Sequence, residues 1–173
     1  ENYEIALEGT EHLIAQGCKR IAIMAGPQHI YTSRNRFRGY LEALRRNNLP
    51  ILESYIVHSH YISNRVEDAT RYLINLPQPP DAVFAINDYA AIEMMHVMKK
   101  NGLRIPHDIA VLGFNNENMC SFVEPSLSSI DHPAHEMGAA AAEILIKHIR
   151  HQELQPEKRL IKCKLIPRDS TRK

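Results

Sequence analysis

Four short polar residues stand directly after two apolar runs. Asn87 and Asp88 follow Ala82-Val83-Phe84-Ala85-Ile86, and Asn115 and Asn116 follow Ile109-Ala110-Val111-Leu112-Gly113-Phe114. Amide and carboxylate groups in such places can pair with the hydroxyls or N–H groups of a small ligand. They also cap helices and form turns, so residue type alone leaves both roles open. A second group lies in GPQHIYTSRNRFRG, from Gly26 to Gly39. Arg34, Arg36 and Arg38 cannot all face one way on a helix. Arg36, four before Tyr40, is placed to reach back over the helix start. Its guanidinium fork can hold a carboxylate, a phosphate or paired sugar hydroxyls, or it can lie solvated on an exposed face. His58 and His60 stand two apart at a strand end, which puts both rings on one face. No third ligand follows nearby, so they read as surface or ligand-contact histidines and not as a metal centre.

Familiar catalytic patterns are absent from the sequence. It contains no GxGxxG or GxxxxGK[ST] phosphate loop, no GxSxG nucleophile elbow and no HExxH. Binding without turnover is the expectation, with no cofactor and no metal.

The elements that must position these residues alternate. Asn2 caps a first helix to about Gln16, which Gly17 stops. Residues 20–25 follow as a strand, and a polar loop runs to Ser33. A second helix, about Arg34 to Asn47, carries Phe37, Tyr40, Leu41 and Leu44 on one side. Residues 55–58 form a strand. Ser63 or Asn64 caps a third helix, with Glu67 as capping-box partner. The Asp81–Asp131 stretch then reads as strand, Asn-Asp turn, helix, Gly102 stop, strand, polar loop and short strand. An Ala-rich helix runs from about Pro133 to Arg150, residues 159–166 form an edge strand, and the tail RDSTRK is expected to fray. Strands alternating with helices imply an α/β fold with a parallel sheet covered on both faces. Right-handed crossovers then bring the polar strand ends to one edge, where open α/β sheets bind ligands.

Bulk properties agree with a single globular unit. The chain has 173 residues and a net charge of +1, too little basic excess for a nucleic-acid surface. It has neither an apolar run able to span a bilayer nor a signal-peptide pattern at its start. Cys18, Cys120 and Cys163 are odd in number and widely spaced, which argues against a disulfide framework and fits a reducing cytoplasm.

Three segments carry a resemblance. AIMAGP with SRNRFRGYLEAL, AVFAINDYAAIEMMHVMKKNGLRIPHDIAVLGFNN, and EPSLSSIDHPAHEMGAAAAEILIKHI resemble, in order and over nearly the whole chain, the effector-binding domain of the lactose/galactose-repressor (LacI/GalR) family of bacterial transcription regulators. The resemblance implies a Rossmann-like, periplasmic-binding-protein-like fold in which two subdomains clamp a small effector, often a sugar or nucleobase. Residues 1–131 and 160–173 would form the C-terminal subdomain, and 132–159 would belong to the N-terminal one. The DNA-binding helix-turn-helix lies outside this sequence, so operator DNA would be reached through that missing part. Family effector positions fall on Arg36, Thr32, Tyr61, Asn87, His60 and Asn115. The last stands where the family has Asp, and His60 also replaces an acid, so the cleft is less acidic and fits an effector with more acceptors or negative charge than a neutral sugar. The family's two-fold contact falls on Ile92, Met95 and Met119–Val123, which implies a cytoplasmic homodimer. A periplasmic sugar-binding protein of an ABC transporter shares the fold and is the alternative.

Overall fold

The computed structural model of the chain describes residues 2–58, 63–151 and 158–173, with residues 63–65 and 151 described in backbone alone. Its elements, in chain order, are α1 (Asn2–Ala15), β1 (Ile21–Ala25), α2 (Tyr31–Arg46), β2 (Ile56–His58), α3 (Ser63–Ile74), β3 (Ala82–Ala85), α4 (Asp88–Lys100), β4 (Ala110–Asn115), β5 (Ser128–Asp131), α5 (Ala134–His151) and β6 (Lys164–Ile166). They build one sheet in the order β2-β1-β3-β4-β5-β6. Every neighbouring pair is parallel except β5 with β6, which is antiparallel. The parallel sheet expected from the alternation therefore ends in one reversed edge strand.

Period-two alternation divides the core into two layers. Ile21 and Ile23, with Phe84, Leu112, Phe114 and Ile130, pack under α1 and α2 against Leu13, Tyr40 and Leu44. Ala22 and Met24, with Val83, Ala85, Val111 and Leu127, pack under α3 and α4 against Leu73, Met94 and Met98. Both faces are covered, which is why these strands are almost uniformly apolar. The two large rings Phe84 and Phe114 are fully buried, each worth roughly 2–3 kcal/mol in transferred area.

Helix ends follow local chemistry. Asn87 is the N-cap of α4, its side chain accepting from the Ala90 N–H at 2.8 Å. Gly102 closes α4 at φ +79, a conformation that costs glycine little. Helix α2 starts a turn earlier than the sequence predicts, and Ile30 precedes it with no side-chain cap.

One part departs from expectation. The C-terminal tail does not fray: Asp169–Thr171 form a 3-10 turn, and Ser170 and Thr171 are fully buried. The Ser170 hydroxyl donates to the Val111 carbonyl at 2.6 Å and accepts from the Ser128 N–H at 2.8 Å. Thr171 Oγ1 lies 2.7 Å from Ser128 Oγ and 2.9 Å from His12 Nε2. Helix α5, in contrast, stands largely in solvent, with Leu145 61% and Ile149 70% exposed.

Candidate functional site

The C-terminal ends of β1, β3 and β4 meet at one edge, because Ile23, Phe84 and Leu112 are level in the sheet. Arg36 reaches this edge from α2. Its Nη1 donates to the Ile86 carbonyl at 2.6 Å, one residue before Asn87, and its Nε donates to Asn2 Oδ1 at 2.9 Å. The guanidinium carbon sits 3.4 Å from the centre of the Phe114 ring, one residue before Asn115. Arg36 is buried to 9% exposure, so it is not the solvated arginine that the sequence left open. Stacking on an aromatic face and two fixed hydrogen bonds leave the guanidinium a rigid cation at the sheet edge.

The strand-end residues divide their work. Asn87 caps α4 and remains half-buried beside the edge. Asp88 turns inward and is fully buried, accepting from the Ser129 hydroxyl at 2.6 Å and from the Glu117 N–H at 2.8 Å. Gly113 packs against that carboxylate so closely that a Cβ would collide with Asp88 Oδ1. Cys120 lies beside the same acid, and burial, reinforced by Asp88, pushes its thiol up to about 12. Asn115 and Asn116 carry positive φ values of 114 and 57. The Asn116 side chain donates to Asp131 Oδ1 at 3.2 Å and accepts from Arg168 Nη2 at 2.7 Å, while its backbone N–H donates to Ser129 Oγ. Asn116 is thus a structural clasp, and Asn115 is the half-buried amide left at the edge.

Thr32 is exposed in the first turn of α2. His60 and Tyr61 lie outside the described residues. On the other side of the molecule, Ile92 and Val123 are partly buried against the α3–α4 core. Met95 is a core residue at 3% exposure and does not belong to an exposed contact face. Exposed apolar groups on α4 and the loop after β4 include Tyr89, Met119 and Phe122, the last 85% exposed.

Two residues that the sequence reading passed over belong to the edge. Phe114 is the platform for Arg36, and its position as the last apolar residue before Asn115 was the available signal. His132 packs its ring 6.1 Å from the Phe114 ring. Burial, then the neighbouring Arg36 charge, holds His132 below its ordinary value, so at neutral pH it is a neutral imidazole with one donor and one acceptor. Among the described residues no cluster of His, Cys, Asp or Glu could hold a metal ion. No described helix is long and apolar enough to cross a membrane.

The edge thus brings together a fixed cation, amides and an imidazole, a set suited to holding a polar ligand and, among the described residues, lacking a nucleophile with its base. The sequence pattern of the family described as periplasmic binding protein-like domain matches residues 10–171. The chain belongs to that family. This periplasmic binding protein-like domain is 34% identical over 172 residues to the HTH-type transcriptional repressor CytR of Escherichia coli strain K12, covering 99% of this chain and 50% of that protein. A regulatory protein of the LacI family from Chloroflexus aggregans has the same fold with a TM-score of 0.92 at 31% identity, over 98% of this chain and 61% of that one. A complex of the transcriptional regulator CelR with cellobiose matches with a TM-score of 0.91 at 29% identity, over 98% of this chain and 52% of that one. The resemblance to the effector-binding domain of lactose/galactose-repressor regulators therefore holds, and the chain spans about half the length of the repressors it matches.

Proposed function

We propose that this domain is the effector-binding part of a bacterial transcription regulator that works in the cytoplasm. It takes a small sugar-like or sugar-derived molecule at the edge formed by Arg36, Asn87 and Asn115, with Thr32, His60 and Tyr61 completing the cleft. The observation that carries this reading is the placement of Arg36, stacked on Phe114 and bonded to the end of β3. The kinship to repressors and to a cellobiose-bound regulator supports it, whereas the transporter alternative finds no support among those relatives.

In this reading residues 1–131 and 160–173 are one subdomain, and 132–159 belong to the other. The exposed Leu145 and Ile149 on α5 support that division, since an apolar stripe of this kind is ordinarily covered. An effector that touches both subdomains favours their closed arrangement by its differential affinity, and the shift reaches operator DNA through a helix-turn-helix elsewhere in the protein. A second copy packs on the face that carries Tyr89, Ile92, Val123 and Phe122. The function is tested by calorimetry of the full-length regulator against neutral sugars, sugar acids, sugar phosphates and nucleobases. A ligand that binds the parent protein and is lost in Arg36→Ala supports the site; a ligand indifferent to Arg36→Ala overturns it.

A further inference from the structure

By the division proposed above, the chain leaves one subdomain after Asp131, at the end of β5, and re-enters it shortly before β6. The sheet register sets both crossings beside the effector corner. Asn115 is level with Asp131, and Asp131 is level with Lys164, the first residue of β6. One side chain spans the two crossings. Asn116 Nδ2 donates to Asp131 Oδ1 at 3.2 Å on the outgoing strand, and Asn116 Oδ1 accepts from Arg168 Nη2 at 2.7 Å, just past the end of β6. The partners are themselves held. Arg168 Nη1 donates to the Leu127 carbonyl at 2.7 Å, and the Arg168 N–H donates to Ser128 Oγ at 2.7 Å. Asp131 is paired on both sides, to β4 and to β6.

A short amide suits this place. It accepts from a guanidinium at one end and donates to a carboxylate at the other, so both bonds are charge-assisted. An aspartate here would keep the first bond and set a second carboxylate against Asp131. The φ of 57 at Asn116 is met equally well by glycine, so the backbone turn alone does not call for the amide. The main chain at this residue is fixed as well: the Asn116 N–H donates to Ser129 Oγ at 3.1 Å, and that hydroxyl donates to the buried Asp88 carboxylate. A rotation of residues 132–159 about the two crossings therefore either breaks one of the Asn116 bonds or carries Asn116 along. Carried along, it moves the main chain of Asn115, one peptide away.

We propose, resting on the subdomain division and effector edge above, that Asn116 is the hinge-coupling residue of this domain. It ties the outgoing and the returning chain to the corner that carries Asn115, so the angle between the subdomains and the shape of the effector corner change together.

The test is hydrogen exchange of the full-length regulator without ligand, read by mass spectrometry on peptides that cover the outgoing crossing (129–134), the return (163–168), the corner (113–118) and, as an internal control, β1 (21–25). Asn116→Gly removes both bonds and still fits the backbone; exchange at both crossings should rise by about tenfold or more while β1 is unchanged. Asn116→Asp keeps the Arg168 bond, so the outgoing crossing alone should rise. Arg168→Leu leaves the main-chain bonds of Asn116 in place, and coupling predicts that exchange at the corner rises by about tenfold as well. Parent-like exchange at both crossings in Asn116→Gly overturns the proposal, and so does an equal rise in β1, which makes the amide an ordinary contributor to stability. A corner indifferent to Arg168→Leu overturns the coupling. The pattern needs no effector, so its failure is separate from that of the effector reading, which is decided by whether a ligand is lost with Arg36→Ala.

Discussion

The guanidinium of Arg36 lies flat against the ring of Phe114, 3.4 Å from its centre. This contact ties α2 to the end of β4, while the bond from Arg36 to the Ile86 carbonyl ties it to β3. The residue therefore holds the edge together as well as facing it. Arg36→Lys keeps the charge but loses the planar stack and the fork, and should lower unfolding free energy by about 1–2 kcal/mol; Arg36→Ala should cost about 2–4 kcal/mol. Urea denaturation measures the stability effect. Calorimetry measures the second effect, a fall in effector affinity of about tenfold or more in both variants.

Asp88 anchors the loop after β4. Asp88→Ala would strand the Ser129 hydroxyl and the Glu117 N–H in a buried place and should cost about 3 kcal/mol, whereas Asp88→Asn, which can still accept one of those bonds, should cost less. Gly113→Ala should destabilise by about 1–3 kcal/mol because its methyl group collides with the Asp88 carboxylate. In Asp88→Ala the collision is relieved, so the double variant should be less destabilised than the sum of the two. Denaturation of the four proteins decides it; strict additivity would mean that the two sites do not touch.

His12 gives the domain a pH-dependent clasp. Burial holds His12 below its ordinary value of 6.5, and its Nε2 is hydrogen-bonded to Thr171. The unfolded chain takes up the proton at a higher pH than the folded one. Stability from this group is therefore complete above the unfolded value, is lost as pH falls through about 6.5, and levels off below the folded value. His132 is shifted the same way by burial and Arg36. Melting temperatures between about pH 7.5 and pH 5.5 should fall in the parent chain, fall less in His12→Gln, and fall least in the His12→Gln/His132→Gln pair. An unchanged slope in the pair would rule out these histidines as its origin.

Phe122 is 85% exposed and its N–H bonds the Met119 carbonyl, while Tyr89 is 61% exposed. If this face receives a second copy, Phe122→Glu should shift the full-length regulator toward monomer in sedimentation velocity and leave the folding of the isolated domain within about 0.5 kcal/mol of the parent. Met95→Glu should instead unfold the domain, since Met95 is core. A dimer indifferent to Phe122→Glu would move the contact elsewhere.

Much of this architecture was legible because it is written in apolar runs. The three parallel strands that carry the edge, the Asn87 cap and the Gly102 stop all have local signals, and the observed order of elements is the one those signals give. What escaped has no local signal. Ser170 and Thr171 look like a solvated tail, yet they are buried because their hydroxyls find partners on Ser128, Val111 and His12, far away in sequence. Helix α2 begins at Tyr31 without a capping residue to announce it. The role of Phe114 depends on an arginine 78 positions earlier, and Met95 shares its helical period with surface and core alike. At the edge, spacing left Arg36 open between an edge residue and a solvated one, and only the family resemblance singled it out. The separate duties of Asn115 and Asn116 were not legible, because adjacent identical residues are told apart only by the backbone turn between them.

That turn has an evolutionary consequence. Asn115 and Asn116 hold φ values of 114 and 57, a region that most side chains enter only at a cost and that Gly, Asn and Asp enter most readily. Variation at this corner is thus confined to a very short alphabet. At Asn115, exchanging amide for carboxylate leaves the main chain in place and alters only hydrogen-bonding polarity and charge, whereas at Asn116 it would remove the donor to Asp131. If Asn115 meets the effector as proposed, a lineage carrying this corner changes what it recognises by a single conservative step between Asn and Asp there, without first re-inventing the loop.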